Sequence, residues 1–149
     1  MNTKLLRQII REIEAEPLRC NMTDWVDTDD PIASCGSVAC IAGFAAAINL
    51  RETAKGRQSW KSLIKTLYSK YYNIIDDATD LLDITRKQRE RLFFIVDWPH
   101  EFIEKYKNVQ EEFNTLDLEI RSSMKAKRRK EAAVVIERIR HFIRTKGRQ

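Results

Sequence analysis

Two cysteines open the least polar run in the chain, Cys35-Gly36-Ser37-Val38-Ala39-Cys40-Ile41-Ala42-Gly43-Phe44-Ala45-Ala46-Ala47-Ile48. A thiol at the start of a helix is an arrangement that makes nucleophiles, because exposed N–H groups and the positive dipole end stabilise the thiolate. Acyl transfer by such a thiolate also needs an imidazole to take its proton and a third group to orient that imidazole. The chain has two histidines. His100 follows Trp98-Pro99 and His141 lies inside an apolar helical pattern, so neither stands in a partner motif. Cys35, Cys40 and His100 are the catalytic candidates, set against the reading that both cysteines are small buried hydrophobes. A zinc site needs four ligands at short paired spacings. Cys35-x4-Cys40 is one loose pair, and Cys20 and His100 would join it only through the fold. No metal site and no cofactor is expected.

Charge supplies the other candidates. Asp27, Asp29 and Asp30 cluster in a loop, and Asp76, Asp80 and Asp83 fall at i, i+4 and i+7 with Asp77 beside them. A solvated face accounts for such a stripe, and the Glu-x-x-His of di-metal bundles is absent. The net charge of +5 is unevenly placed: residues 121–149 carry +9 and residues 1–120 carry −4. Lys125, Lys127, Arg128, Arg129 and Lys130 form a dense block that leads into a helix bearing Arg138, Arg140, Arg144, Lys146 and Arg148. Such a block contacts phosphates and releases counterions. Phe142 belongs to the apolar stripe, so stacking on bases is not expected. Arg86, Lys87, Arg89 and Arg91, after Thr85, would add a second phosphate-facing surface. The competing reading is a solvated basic face, or one docked on the acidic remainder of the chain.

The elements that position these residues are helical. Leu5, Leu6, Ile9, Ile10 and Ile13 predict an amphipathic helix from about Thr3 to Ala15, capped by Asn2 or Thr3 and ended by Pro17. Residues 18–33 read as a loop anchored by Met22 and Trp25. The cysteine stretch predicts a central small-residue helix at about 37–48, capped by Ser34 or Ser37, with Val38 and Ala39 in its first turn. Gly43 inside it costs about 1 kcal/mol against alanine, which demands a packing reason. A polar stretch from Leu50 to Arg57 with a break at Gly56 precedes a third helix marked by Trp60, Leu63, Ile64, Leu67, Tyr68 and Tyr71. Ile74, Ile75, Ala78, Leu81 and Leu82 mark a short fourth, and Asp83-Ile84 a turn. Thr85-x-x-Gln88 is a capping box. Its helix, with Leu92, Phe93 and Ile95, is stopped by Asp97-Trp98-Pro99, and the next starts at Pro99 with Phe102, Ile103 and Tyr106 inward. Phe113, Leu116, Leu118 and Ile120 continue the pattern less cleanly. Ala132, Ala133, Ile136, Ile139, Phe142 and Ile143 form the last stripe, which ends at Gly147. No segment alternates convincingly with period two. The class is all-α: one domain over 1–149, about six or seven helices around the central helix, with a basic helical segment at about 121–149.

Four motifs stand in order: Cys35-Gly36-Ser37-Val38-Ala39-Cys40-Ile41-Ala42-Gly43-Phe44-Ala45, then Leu81-Leu82-Asp83-Ile84-Thr85-x-x-Gln88-x-x-x-Leu92-Phe93, then Trp98-Pro99-x-x-Phe102-x-x-x-Tyr106, then Arg138-Ile139-Arg140-His141-Phe142-Ile143-x-Thr145. Together they resemble a family of small, uncharacterised bacterial and phage-borne proteins. That family has a Cys-Gly-x-x-x-Cys-Ile-Ala-Gly-Phe/Trp-Ala core, a Trp-Pro motif and a closing His-Phe-Ile segment. Asp83 stands where the family tends to have glycine, and residues 107–130 are longer and more basic. The resemblance implies a bacterial or phage-borne, mobile-element origin and brings no established activity with it. Cys35-Gly36-Ser37 also superficially resembles the nucleophile turn of papain-like proteases, and the run through Cys40-Ile41 resembles the cysteine peptidases that trim bacteriocin leaders, but the spacing fits neither, the second cysteine being one residue too far along.

No apolar run reaches the roughly 18 residues of a membrane span, and the N-terminus lacks the layout of a signal peptide. A cytoplasmic location follows, where three cysteines stay free thiols. The sequence reads as a non-catalytic cytoplasmic binding or accessory protein. One alternative is a nucleic-acid-binding module that uses the basic C-terminal segment; another is a cysteine-dependent enzyme or metal site at Cys35 and Cys40. Partners stay open among nucleic acid, a protein, and a second copy joined through the apolar C-terminal stripe.

Overall fold

Eight consecutive residues, Ile41 to Ile48, are buried on every side of one helix. Ala42, Gly43 and Ala45 to Ala47 let neighbouring backbones come close, while Ile41, Phe44 and Ile48 fill the spaces between them. The computed structural model describes residues 1–33, 35–54, 58–69, 73–114 and 121–148. Among these are seven α-helices: α1 (Thr3–Ala15), α2 (Ile41–Thr53), α3 (Trp60–Tyr68), α4 (Ile74–Leu82), α5 (Arg86–Phe93), α6 (His100–Asn114) and α7 (Arg121–Arg144). Helices α1, α3, α4 and α5 pack against α2. α7 closes the other side, lying on α1, α5 and α6. The described residues are all-α apart from one minimal sheet.

That sheet changes the start of the central helix. Val38–Ala39 is a two-residue strand, β2, paired antiparallel with β1 (Val26–Asp27), in the register Val26 to Ala39 and Asp27 to Val38. Cys20 adds a parallel bridge to Ala39. Val38 and Ala39 are therefore not helical, and α2 starts at Ile41 with Cys40 as its N-cap residue. Residues 18–33 carry the reason: they return across the start of α2 and supply strand partners before the helix can begin. The far end of α2 also runs further than its apolar stretch, to Thr53. Its polar last turn is tied back to α1 by Arg51 Nη2, 2.6 Å from Glu12 Oε1. Ser34, Gly56, Tyr71, Leu116, Leu118 and Ile120 lie outside the described residues.

Other helix ends follow local chemistry. Asn2 Oδ1 accepts from the Leu5 N–H at 3.1 Å and caps α1. Thr85 and Gln88 form both halves of the capping box of α5. α5 ends at Phe93, four residues before Asp97, because Ile95–Asp97 tightens into a 3-10 turn ahead of the buried Trp98. In α7 the inner face differs from the simple stripe. Ala133 is exposed, while Val134, Val135 and the guanidinium-bearing Arg138 are buried with Ile136, Ile139 and Phe142. These buried residues face the protein's own core, while Ile143 at the end of the stripe stays half-buried beside Ile10.

Candidate functional site

Cys40 stands at the first turn of α2, the place where a helix can activate a thiol. Burial wins there: at 1% exposure it pushes the thiol up to about 11, and the N–H groups of Gly43 and Ala42 pull it back only in part. Cys20 is held well above the usual thiol range, first by burial and then by Cys40 beside it. Cys35 is half-buried on the preceding turn, where its Sγ donates to the Ser37 carbonyl at 3.6 Å. His100, 88% exposed at its side chain, makes its polar contact with Glu104 at 3.8 Å, not with a thiol. The described residues contain no group of three or more His, Cys, Asp or Glu side chains placed to hold a metal ion.

The basic block divides in two. Arg128 turns inward: its Nη2 donates to Asp30 Oδ2 at 3.1 Å, and its Nε lies 3.8 Å from Glu131 Oε2. Asp30 is itself a buried hub, because its Oδ1 accepts from the Ile32 and Ala33 N–H groups at 2.9 and 2.8 Å. Lys130 pairs with Glu112 and sits over the Phe113 ring. Arg138 is fully buried between Phe102 and Phe142, donates to the Arg91 carbonyl at 2.6 Å, and has its pKa lowered to about 10 by burial and by the Arg91 charge. Arg140 reaches Glu14 at 2.6 Å but remains exposed. Lys125, Lys127 and Arg129 keep their charges nearer the surface.

A cavity of about 200 Å³ opens beside Arg128, lined by Asn21 and Thr23 from the loop, Tyr106 and Gln110 from α6, and Lys127 and Glu131 from α7. Burial raises the Glu131 carboxyl, and Lys127, Arg128 and a hydrogen bond from Gln110 offset this. The Tyr106 hydroxyl is raised by burial and by Glu131. These groups already satisfy one another, so the cavity reads as the seam where the loop is fastened to α6 and α7.

The exposed cations gather elsewhere. Arg7 and Arg11 of α1 and Arg140 of α7 surround an open groove of about 330 Å³ floored by Ile10 and Ile143. One turn beyond Arg140 lies Arg144, and α7 then ends in a tight turn with Lys146 and Gly147 in the left-handed region. That turn is seated on α5: Gln88 Nε2 donates to the Lys146 carbonyl at 2.9 Å, and Arg91 Nη1 to the Arg148 carbonyl at 2.6 Å. The fold thereby joins α1, the end of α7 and α5 into one band. Arg7, Arg11, Arg140, Arg144, Lys146 and Arg148 line it and Lys87 extends it, all of them exposed. Its nearby carboxylates, Glu14 and Glu90, are each paired with an arginine. The basic residues after Thr85 and those near the C-terminus can be read in the sequence. Arg7 and Arg11 cannot, since only the packing of α1 on α7 brings them in.

No family model matches the chain, and no curated protein or solved structure matches it either.

Proposed function

We propose that this protein is a non-catalytic cytoplasmic binding module that holds nucleic acid by its phosphate backbone along the band of α1, α5 and the end of α7. The observation that carries this reading is that the C-terminal turn is seated on α5 while α1 packs along α7, which brings three separate basic segments onto one surface. Cations at the C-terminal end of a helix also complement its dipole. Phe142 is buried beneath the band, so the surface offers charge without a stacking ring. Backbone contacts position a duplex but carry no base information, so little sequence preference follows. Lys125, Lys127 and Arg129 contribute less, because Asp30, Glu112 and Glu131 stand among the neighbouring cations. The burial of Cys40 supports a structural role for the cysteine turn.

Fluorescence anisotropy with a labelled 20-base-pair duplex tests the proposal. If about four phosphates are contacted, log K falls with log salt at a slope of about −4, roughly a hundredfold loss between 50 and 200 mM NaCl. The triple variant R144Q/K146Q/R148Q flattens that slope by about three, whereas K125Q/K127Q/R129Q changes it little. Absence of binding at 50 mM salt, or a larger effect from the second triple variant, overturns the proposed surface.

A further inference from the structure

The face around the first 3-10 turn after α5 is unlike the rest of the surface. Val96 stands 81% exposed at its tip, the most exposed large apolar side chain among the described residues. Phe94 and Ile95 lie half-buried beside it, and Trp25 meets Phe94 edge-on with ring centroids 5.5 Å apart. With Met22 these side chains border a groove of about 220 Å³, and Asp24 stands on its edge. Asp97, exposed, follows Val96 in the turn. The result is an apolar prominence with an acidic rim. Met22, Trp25, Phe94 and Ile95 pack on the core by one side and leave the other open around Val96; an exposed apolar patch of this kind marks a contact site, and aromatic anchors are the residues that carry such contacts.

The chain itself presents the complementary surface. The α1–α7 groove has an apolar floor, Ile10 and Ile143, and a cationic rim, Arg7, Arg11 and Arg140. Apolar prominence meets apolar floor, and the rim charges are opposite in sign. We propose that copies of this chain associate head to tail, with the Ile95–Val96 prominence of one seated in the α1–α7 groove of the next. The two surfaces are different, so the contact is heterologous, and each added copy leaves one prominence and one groove open. Each surface comprises only a handful of residues, well short of the roughly 20 per side of a stable interface, so the association is weak. It also occupies part of the phosphate-binding band, so a groove filled by a second copy is closed to nucleic acid.

Sedimentation equilibrium without nucleic acid reads this association separately from the phosphate proposal. The weight-average mass rises above the 17.5 kDa of one protomer as concentration goes from about 10 µM to about 1 mM. Val96→Asp removes the prominence and Arg7→Glu/Arg11→Glu reverses the groove rim. Both alter exposed side chains, and unchanged circular-dichroism melting confirms that the variants fold. Each variant alone stays at the protomer mass. Mixed in equal amounts they form a dimer that grows no further, because one intact prominence meets one intact groove. A wild-type protein that stays monomeric throughout overturns the proposal. So does an Arg7→Glu/Arg11→Glu variant that associates as the wild type does, which would mean prominence meets prominence. Failure of the mixture to restore a dimer overturns it as well.

Discussion

Replacing Gly43 with alanine would put a methyl carbon 2.1 Å from the Trp25 carbonyl oxygen, 2.8 Å from the Ala39 Cβ and 3.0 Å from a Val26 methyl. In an ordinary helix interior the same change is stabilising by about 1 kcal/mol. Here the closest atom is backbone and cannot swing aside. That carbonyl accepts from the Cys40 N–H at 3.2 Å, one of the bonds that hold residues 18–33 against the start of α2. Moving it far enough to admit a methyl group breaks the bond and leaves a buried acceptor unsatisfied, at about 1–3 kcal/mol. Overpacking adds about 1–3 kcal/mol. After the helix-propensity gain is subtracted, the net loss is about 3 kcal/mol. For a chain of this length that lowers the melting temperature by about 10 °C. Thermal melts followed at 222 nm by circular dichroism measure it. A Gly43→Ala protein that melts at or above the wild-type temperature refutes the close approach of α2 and Trp25.

Two further outcomes follow from buried groups. Arg128→Ala strands the buried Asp30 carboxylate and destabilises the protein by about 3 kcal/mol in urea unfolding, a cost that surface cations such as Lys125 do not show; equal effects at both positions would mean that Arg128 is not an internal tie. The thiols separate by exposure: Cys35 reacts first with iodoacetamide, while at pH 8 the thiolate fraction of Cys40 is about a hundredth of an exposed thiol's, given its pKa of about 11. Peptide mass spectrometry after timed quenching distinguishes the sites, and modification of Cys40 as fast as Cys35 would return the nucleophile reading to contention.

Local signals carried much of this structure. The apolar stripe of α1, its Asn2 cap and the Thr85/Gln88 box involve residues three or four apart, and each is placed where spacing puts it. The Gly43 packing requirement was also legible, though not the carbonyl that imposes it. The two-residue strands were not, because a pairing that short has no period to detect and its partners lie 11 and 13 residues away in a loop. Arg128 and Arg138 show how charge can mislead. Arg128, Ala132, Val135, Ile139 and Phe142 follow the spacing of an inward face, with Arg138 beside it, and the face position outweighs the charge once Asp30 and the Arg91 carbonyl accept the guanidinium groups. The candidate interface was half legible for the same reason. Its α5 and C-terminal cations are contiguous in sequence, but the arginines of α1 join them only by tertiary packing.

The tie between Asp30 and Arg128 spans 98 residues of chain. A ribosome adding about 5–20 residues per second leaves roughly 5–20 s between the two ends of that bond. During that interval Asp30 has no cation from α7 to meet, while the bonds of residues 18–33 to Ala39 and Cys40 use partners already made. Arg128 also reaches the Cys20 carbonyl at 3.5 Å, so the segment that carries Cys20 gains its fastening to α7 only once residue 128 has been made.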